Sequence, residues 1–146
     1  MIKITGFEHI SIGAEDTEPS AGVLGLFGIK PLYGEDIHPH GVTTTYYEHE
    51  DNENTRVRFE IIRPVSEDAP LRKFLEKRGP GIHHICMQVE DLEDAMEQIK
   101  EAGGELVEPV FDDSRGRHVF VHPRFTGGFL PVTRTRSLFS VRENAP

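Results

Sequence analysis

Residues Phe7-Glu8-His9-Ile10-Ser11-Ile12 have a counterpart later in the chain, Ile82-His83-His84-Ile85-Cys86-Met87. In each copy a histidine stands early in a strand-like stretch and is followed by alternating apolar positions. The elements that follow each copy repeat in the same order: one helix and then three strands. Two half-sheets of this kind would pair and bury a shared face. We therefore predict an α+β fold of two βαβββ modules that form a curved, eight-stranded mixed sheet around a central cleft.

The element boundaries follow from apolar periodicity and from glycine and proline positions. The predicted strands are Phe7–Ala14, Lys30–Asp36, Val42–Glu48, Arg56–Ile62, Ile82–Val89, Glu105–Phe111, His118–His122 and Phe129–Thr135. The predicted helices are Glu15–Gly28 (with Leu24, Leu26 and Phe27), Leu71–Arg78, and a helix that starts at the N-cap Asp91 and ends at Gly103-Gly104. Glu50 to Asn54 is predicted as an acidic turn. We expect one domain over 1–146, with module 1 at about 5–64, a linker helix at about 68–79, module 2 at about 81–135 and a tail at 137–146.

Composition narrows the range of functions. The chain has 146 residues and a net charge of −9, from 16 Lys and Arg against 25 Asp and Glu. This balance argues against a nucleic-acid partner and against a polybasic membrane anchor. The single cysteine, Cys86, cannot form an internal disulfide or a paired-cysteine zinc site. The start of the chain lacks the apolar core of a signal peptide, and no apolar run approaches the ~20 residues of a membrane span, so we expect a cytoplasmic protein.

The repeat also predicts a metal site. Equivalent positions of a duplicated unit are related by a pseudo-twofold axis, so His9 and His84 would face each other in the cleft. Glu60 lies on the last strand of the first module and shares a face with Arg58 and Ile62. Two imidazoles and one carboxylate suit a divalent ion such as Zn, Fe, Mn, Co or Ni. A hydrogen-bonded structural histidine is the alternative for each imidazole, whereas a buried carboxylate needs a partner. His83 should point away from the site.

Several further pieces carry a resemblance that extends over roughly Phe7 to Thr133. They are Phe59-Glu60-Ile61-Ile62-Arg63-Pro64, the stretch from Asp68 to Gly79, Gly81-Ile82-His83-His84-Ile85, Val89-Glu90-Asp91-Leu92, His122-Pro123-Arg124 and Gly127-Gly128. With them the chain resembles the vicinal oxygen chelate superfamily (glyoxalase/bleomycin resistance/dioxygenase), and within it the methylmalonyl-CoA epimerase family. The resemblance implies paired βαβββ modules and a divalent metal held by His9, Glu60 and His84.

The chain departs from the epimerase pattern at two positions. That pattern ends in a Gly-Gly-Val-Leu-x-Glu strand, whose Glu is a fourth ligand and a base, and here the equivalent position is Val132. The second base precedes a Gln-Gly-Val turn, and here that position is Pro39. Epimerisation needs proton transfer on both faces of a carbon, which neither residue can perform. His40, or His38, could replace one base, although a solvent-exposed histidine in a turn is the alternative.

A basic cluster lies in the second half of this acidic chain, formed by Arg115, Arg117, His118, His122 and Arg124. It could bind the phosphates or the carboxylate of an acyl-CoA, with Arg117 and Arg124 as substrate-binding residues. A solvated basic face is an equally good interpretation. Tyr46, Tyr47 and Glu48 could line the cavity or pack within the sheet.

These observations predict a metal-dependent isomerase or lyase that polarises a small oxo acid or acyl-CoA through adjacent oxygens. A non-catalytic small-molecule-binding protein of the same fold, or an iron-dependent dioxygenase, are the alternatives. By analogy with the family we also expect a homodimer, and neither a nucleic-acid nor a membrane partner.

Overall fold

The structure, a computed structural model, describes residues 1–113, 116–127 and 130–134. The predicted tail at 137–146 lies outside the described residues. The strands are β1 Ile4–Gly13, β2 Ile29–Ile37, β3 Val42–His49, β4 Arg58–Pro64, β5 Gly81–Val89, β6 Leu106–Asp113, β7 Gly116–Val121 and β8 Leu130–Arg134. The helices are α1 Glu18–Leu26, α2 Asn52–Thr55, α3 Pro70–Arg78 and α4 Leu92–Glu101, with short 3-10 helices at His38–His40 and Pro123–Phe125.

The chain divides into two compact units, and one of them comprises His9–His83. Its strands are hydrogen-bonded in the order β2-β3-β4-β1. The β2–β3 and β3–β4 pairs are antiparallel, whereas β4 and β1 are parallel, with Ser11 of β1 in register with Glu60 of β4. The first strand of the module therefore pairs with its last strand.

The other unit combines Met1–Glu8 with the described residues from His84 to Arg134. Its strands follow the equivalent order β5-β8-β7-β6. The β5–β8 pair is parallel, and the β8–β7 and β7–β6 pairs are antiparallel. The two modules thus have the same strand order and the same mixture of pairings, which confirms the α+β prediction of two βαβββ modules.

Helix α4 begins and ends as the sequence predicts. The carboxylate of Asp91 accepts a hydrogen bond from the backbone N–H of Asp94 at 3.0 Å, and this N-cap satisfies a donor of the first turn. Gly103, with a φ of 82°, follows the helix in the left-handed conformation that favours glycine. Leu92 and Ala95 on the apolar face are completely buried against β5, β6 and β7.

Helix α1 buries only part of its apolar surface. Leu24 packs in a cluster with Ile29 and Ile61, but Leu26 and Phe27 are 86% and 68% exposed. Successive helical residues are rotated by about 100°, so Leu24 and Leu26 point in nearly opposite directions and one buried face cannot hold both.

Residues 50–54 contain a short helix rather than only the predicted acidic turn. Helix α2 is a single turn that forms after Asp51. The side chain of Asn54 donates to the Asp51 carboxylate at 2.8 Å, and the Thr55 hydroxyl donates to the Asp51 carbonyl at 2.9 Å. These local bonds organise the turn, and Arg56, with a φ of 50°, ends it.

Candidate metal centre

His9 and Glu60 lie on the two parallel strands of the first module. Side chains alternate along a strand, so His9 and Ser11 occupy one face of β1, and Ser11 is in register with Glu60 on β4. His9 Nε2 lies 3.3 Å from Glu60 Oε2, and the two side chains are only 1% and 4% exposed. An imidazole and a carboxylate are therefore held together away from solvent.

Residues of the antiparallel neighbour β3 orient this pair. The Thr44 hydroxyl, itself fully buried, donates to Glu60 Oε1 at 2.9 Å. The Tyr46 ring meets the His9 ring edge to face, with centroids 5.8 Å apart. One carboxylate oxygen of Glu60 thus accepts from Thr44, while the other is closer to the imidazole.

His84 lies on β5 and is 8% exposed. Its ring packs edge to face against Phe120 of β7, at a centroid distance of 5.8 Å. The preceding residue, His83, instead contacts Phe74 of α3, with centroids 4.9 Å apart. The two adjacent histidines contact different elements, as the alternation of strand side chains predicts.

His9, Glu60 and His84 each offer one ligand atom, and these three atoms all lie within 4.8 Å of one another. Among the described residues this is the one such group of three or more histidine, cysteine or acidic side chains. Atoms bound to a single transition-metal ion at about 2.0–2.2 Å lie roughly 3–4 Å apart, and the 3.3 Å between His9 Nε2 and Glu60 Oε2 falls in that range. The donor set of two imidazoles and one carboxylate fits a divalent transition-metal ion.

A buried ion pair that was not predicted from the sequence lies on β3 and β4, close to Glu60. The Arg58 guanidinium donates through Nε to Glu48 Oε1 at 2.8 Å, and its Nη2 contacts the same oxygen. Arg58 and Glu48 are 2% and 7% exposed. The sequence alone does not show this pairing, because it depends on the antiparallel β3–β4 register, which places Glu48 opposite Arg58. Glu48 therefore has a specific structural partner.

The other predicted site residues lie elsewhere. His40 is partly buried on the short 3-10 helix that precedes β3, and it does not belong to the three-residue group. Its role as a base stays a prediction. Residue 132 lies on β8 in backbone register with Cys86 of β5 and Phe120 of β7. A valine thus takes this strand position, where the epimerase pattern has its glutamate.

Arg115 of the predicted basic cluster lies outside the described residues. The described members of the cluster do not form one exposed patch, because His118 is buried. Its ring stacks on Phe111 with centroids 5.3 Å apart and is 2% exposed. Arg117 is exposed and forms an ion pair with Glu93 of α4. Side chains alternate between the two faces of a strand, and this alternation places His118 on the inner face of β7.

Arg124 lies beside a cavity of about 420 Å³ in the second module. Its guanidinium pairs with Glu105 and lies 4.7 Å from the centre of the Phe125 ring. Lys100 and Leu106 also line this cavity. The lining combines cationic, aromatic and aliphatic groups with the carboxylate of Glu105.

The family model of the Glyoxalase/Bleomycin resistance protein/Dioxygenase superfamily matches residues 8–121. The chain belongs to this superfamily. The matched range includes both predicted histidine ligands and Glu60.

Individual members of the superfamily support a more specific similarity. The chain is 33% identical to an ethylmalonyl-CoA/methylmalonyl-CoA epimerase of Cereibacter sphaeroides over 127 residues, which cover 84% of this chain and 91% of the relative. The crystal structure of methylmalonyl-CoA epimerase from Mycobacterium tuberculosis has the same fold, with a TM-score of 0.81 and 23% identity over 97% of this chain and 95% of that chain. A Streptomyces coelicolor methylmalonyl-CoA epimerase variant in complex with 2-nitronate-propionyl-CoA also has this fold, with a TM-score of 0.77 and 23% identity over 93% of this chain and 97% of that chain. In the part of the present chain that the structure describes, no helix is long and apolar enough to cross a bilayer.

Proposed function

We propose that this protein is a metal-dependent isomerase that acts on an acyl-CoA whose reacting carbon lies next to a carbonyl group. The observation that carries the proposal is the buried group of His9, Glu60 and His84, with ligand atoms within 4.8 Å of one another. The similarity to an ethylmalonyl-CoA/methylmalonyl-CoA epimerase supports the substrate class.

The three side chains would hold a divalent ion, and Zn, Co, Ni, Mn and Fe all suit the donor set. Such an ion would supply Lewis-acid catalysis by polarising a carbonyl of the substrate. Glu60 would compensate part of the positive charge, and the Thr44 hydroxyl would keep its carboxylate oriented. Burial of all three ligands would exclude most bulk water and strengthen the local electrostatic interactions.

Proton transfer is the step in which this chain would differ from the epimerase pattern. Val132 and Pro39 stand where that pattern has its two glutamates. We propose that His40 takes the proton from the reacting carbon through an imidazole nitrogen, since histidine titrates near neutral pH. A single base returns the proton mainly to the face from which it came. Hydrogen exchange at that carbon would then be faster than inversion of its configuration.

We also propose that Arg124 contacts the phosphate groups of the acyl-CoA. The cavity that it shares with Lys100 and Phe125 supports this role, because a guanidinium binds phosphate oxygens and an aromatic ring offers a stacking surface. Arg117 remains a second candidate. In either case an ion pair would have to open, that of Arg124 with Glu105 or that of Arg117 with Glu93.

The experiment that tests this function separates exchange from inversion. Cobalt-loaded protein is incubated with (2R)- or (2S)-methylmalonyl-CoA in deuterated water. Deuterium incorporation is measured by mass spectrometry, and configuration is measured with a stereospecific coupled assay. We expect metal-dependent incorporation that exceeds inversion and that is lost in His40→Ala. The absence of incorporation in the metal-loaded protein would contradict the proposed activity, whereas equal rates of exchange and inversion would contradict the single-base mechanism.

A further inference from the structure

The hydroxyl group of Ser11 is buried on β1 in an unusual environment. Ser11 is 0% exposed, and no described residue offers its Oγ a hydrogen-bond partner. A buried hydroxyl without a partner has lost its hydrogen bonds to water without replacement, which costs free energy. Native proteins satisfy most such groups, so an exception indicates a partner that arrives from outside the chain.

The position of Ser11 indicates where that partner binds. Ser11 is in register with Glu60 on the parallel neighbour β4, and paired residues of neighbouring strands point to the same face. His9 lies two residues earlier on the same face of β1. The unused hydroxyl is thus adjacent to two of the three candidate metal ligands.

Orientation of the Glu60 carboxylate does not require Ser11. The Thr44 hydroxyl donates to Glu60 Oε1 at 2.9 Å, and His9 Nε2 is 3.3 Å from Glu60 Oε2. The two buried hydroxyls near this carboxylate therefore differ: Thr44 has a partner within the protein, and Ser11 faces the site without one. Thr44 therefore orients a candidate ligand, whereas the hydroxyl of Ser11 is available to contact a bound molecule.

We infer that Ser11 is a substrate-binding residue whose hydroxyl donates a hydrogen bond to an oxygen of the molecule bound at the metal centre. The inference rests on the proposed metal site. Atoms that approach a divalent cation are negatively polarised oxygens, so Ser11 acts as the donor in this contact. The matching class of ligand is a small anion with paired oxygens, such as an enolate or a carboxylate, and the bond strengthens as negative charge develops on that oxygen.

The test measures three properties of Ser11→Ala beside wild type. These are the stability of the metal-free protein in urea, its affinity for Co²⁺ by calorimetry, and the affinity of the Co²⁺-loaded protein for oxalate, followed through the visible spectrum of the metal. Ser20→Ala, the same chemical change on helix α1, is the matched control. For Ser11→Ala we expect unchanged or higher apo stability, Co²⁺ affinity within threefold of wild type, and oxalate binding weakened by about tenfold, or ~1.4 kcal/mol. For the control we expect no change in either affinity.

Two results would overturn the inference alone. One is an oxalate affinity of Ser11→Ala equal to that of wild type while Co²⁺ still binds. The other is a clear loss of apo stability in Ser11→Ala, because it would show that the hydroxyl has a partner within the protein. Failure of wild type to bind Co²⁺ would overturn the proposed metal site, and this inference with it.

Discussion

His9 Nε2 and Glu60 Oε2 lie 3.3 Å apart in a part of the first module from which water is almost completely excluded. A carboxylate in such a place needs compensation from hydrogen bonds or from positive charge. The Thr44 hydroxyl supplies one hydrogen bond, and a divalent ion would supply the charge. Changes to the groups that orient these two side chains should therefore change the affinity for a divalent ion.

Replacement of Thr44 by valine should weaken metal binding without removing a ligand. Valine matches the shape of threonine but cannot donate to Glu60, so the carboxylate would lose its fixed orientation. We expect the dissociation constant for Co²⁺ to rise about tenfold, as for other groups that orient a ligand. Calorimetric titration measures this change. The control is Thr43→Val, because the Thr43 hydroxyl donates to the exposed carboxylate of Asp36 at 2.7 Å. Equal Co²⁺ affinities in the two variants would show that Thr44 does not support the site.

Removal of only one partner of the buried Arg58–Glu48 ion pair should destabilise the protein strongly. A single Glu48→Leu change leaves a guanidinium buried without this carboxylate, and we expect a loss of about 3–5 kcal/mol in the free energy of unfolding. The double variant Arg58→Met/Glu48→Leu should recover most of this loss, because both charges are gone. Urea unfolding of the two single variants and the double variant gives the coupling energy. The exposed pair of Lys3 and Glu90 serves as a control, and Lys3→Ala should cost less than about 1 kcal/mol. Additive effects at Arg58 and Glu48 would contradict the prediction.

The three residues of the candidate metal centre could be named in advance because strand alternation and an internal repeat are visible in a single sequence. The repeat related His9 to His84, and the period of two placed Glu60 on a shared face with Arg58. The roles of Ser11 and Thr44 could not be predicted in this way. They depend on which residues of neighbouring strands are in register, and that register is fixed by tertiary packing rather than by local sequence.

The basic cluster outside the site also differs from what proximity in sequence suggests. His118 was grouped with the arginines by its proximity in sequence, whereas alternation along β7 takes it into the interior. Proximity in sequence predicts a surface patch only when the residues also share a face.

The exposed end of α1 should mediate self-association. Val23, Leu26 and Phe27 are 55%, 86% and 68% exposed, and the helix contains no charge after Glu18. In a chain with a net charge of −9, two copies would approach with least repulsion at such an uncharged surface. We expect a homodimer in light scattering and a monomer for Leu26→Glu, with Lys73→Gln on α3, which also lowers the net charge by one, as a control for the changed charge. A wild-type monomer at all concentrations, or a dimer that survives Leu26→Glu, would exclude this surface.

Tyr47 should make the protein more sensitive to alkaline pH. Burial raises the pKa of the Tyr47 phenol above its ordinary value of about 10, and the nearby carboxylate of Glu18 raises it further. Because the folded state holds this proton more tightly, the associated stability is fully present below about pH 10 and is lost as pH rises through the pKa of the folded state. We expect the free energy of unfolding of Tyr47→Phe to fall less steeply above about pH 10 than that of wild type. Parallel curves for the two proteins would contradict this assignment.

The most direct test of the proposed metal centre compares the cobalt content of four proteins. Each protein is saturated with Co²⁺, unbound ion is removed, and the bound cobalt is determined by elemental mass spectrometry. The set is wild type, His9→Ala, His84→Ala and His83→Ala, in which the last variant removes a neighbouring imidazole that packs on Phe74. We expect one ion per chain in wild type and His83→Ala, and almost none in His9→Ala and His84→Ala. Full occupancy in either of the latter variants would contradict the proposed ligand set.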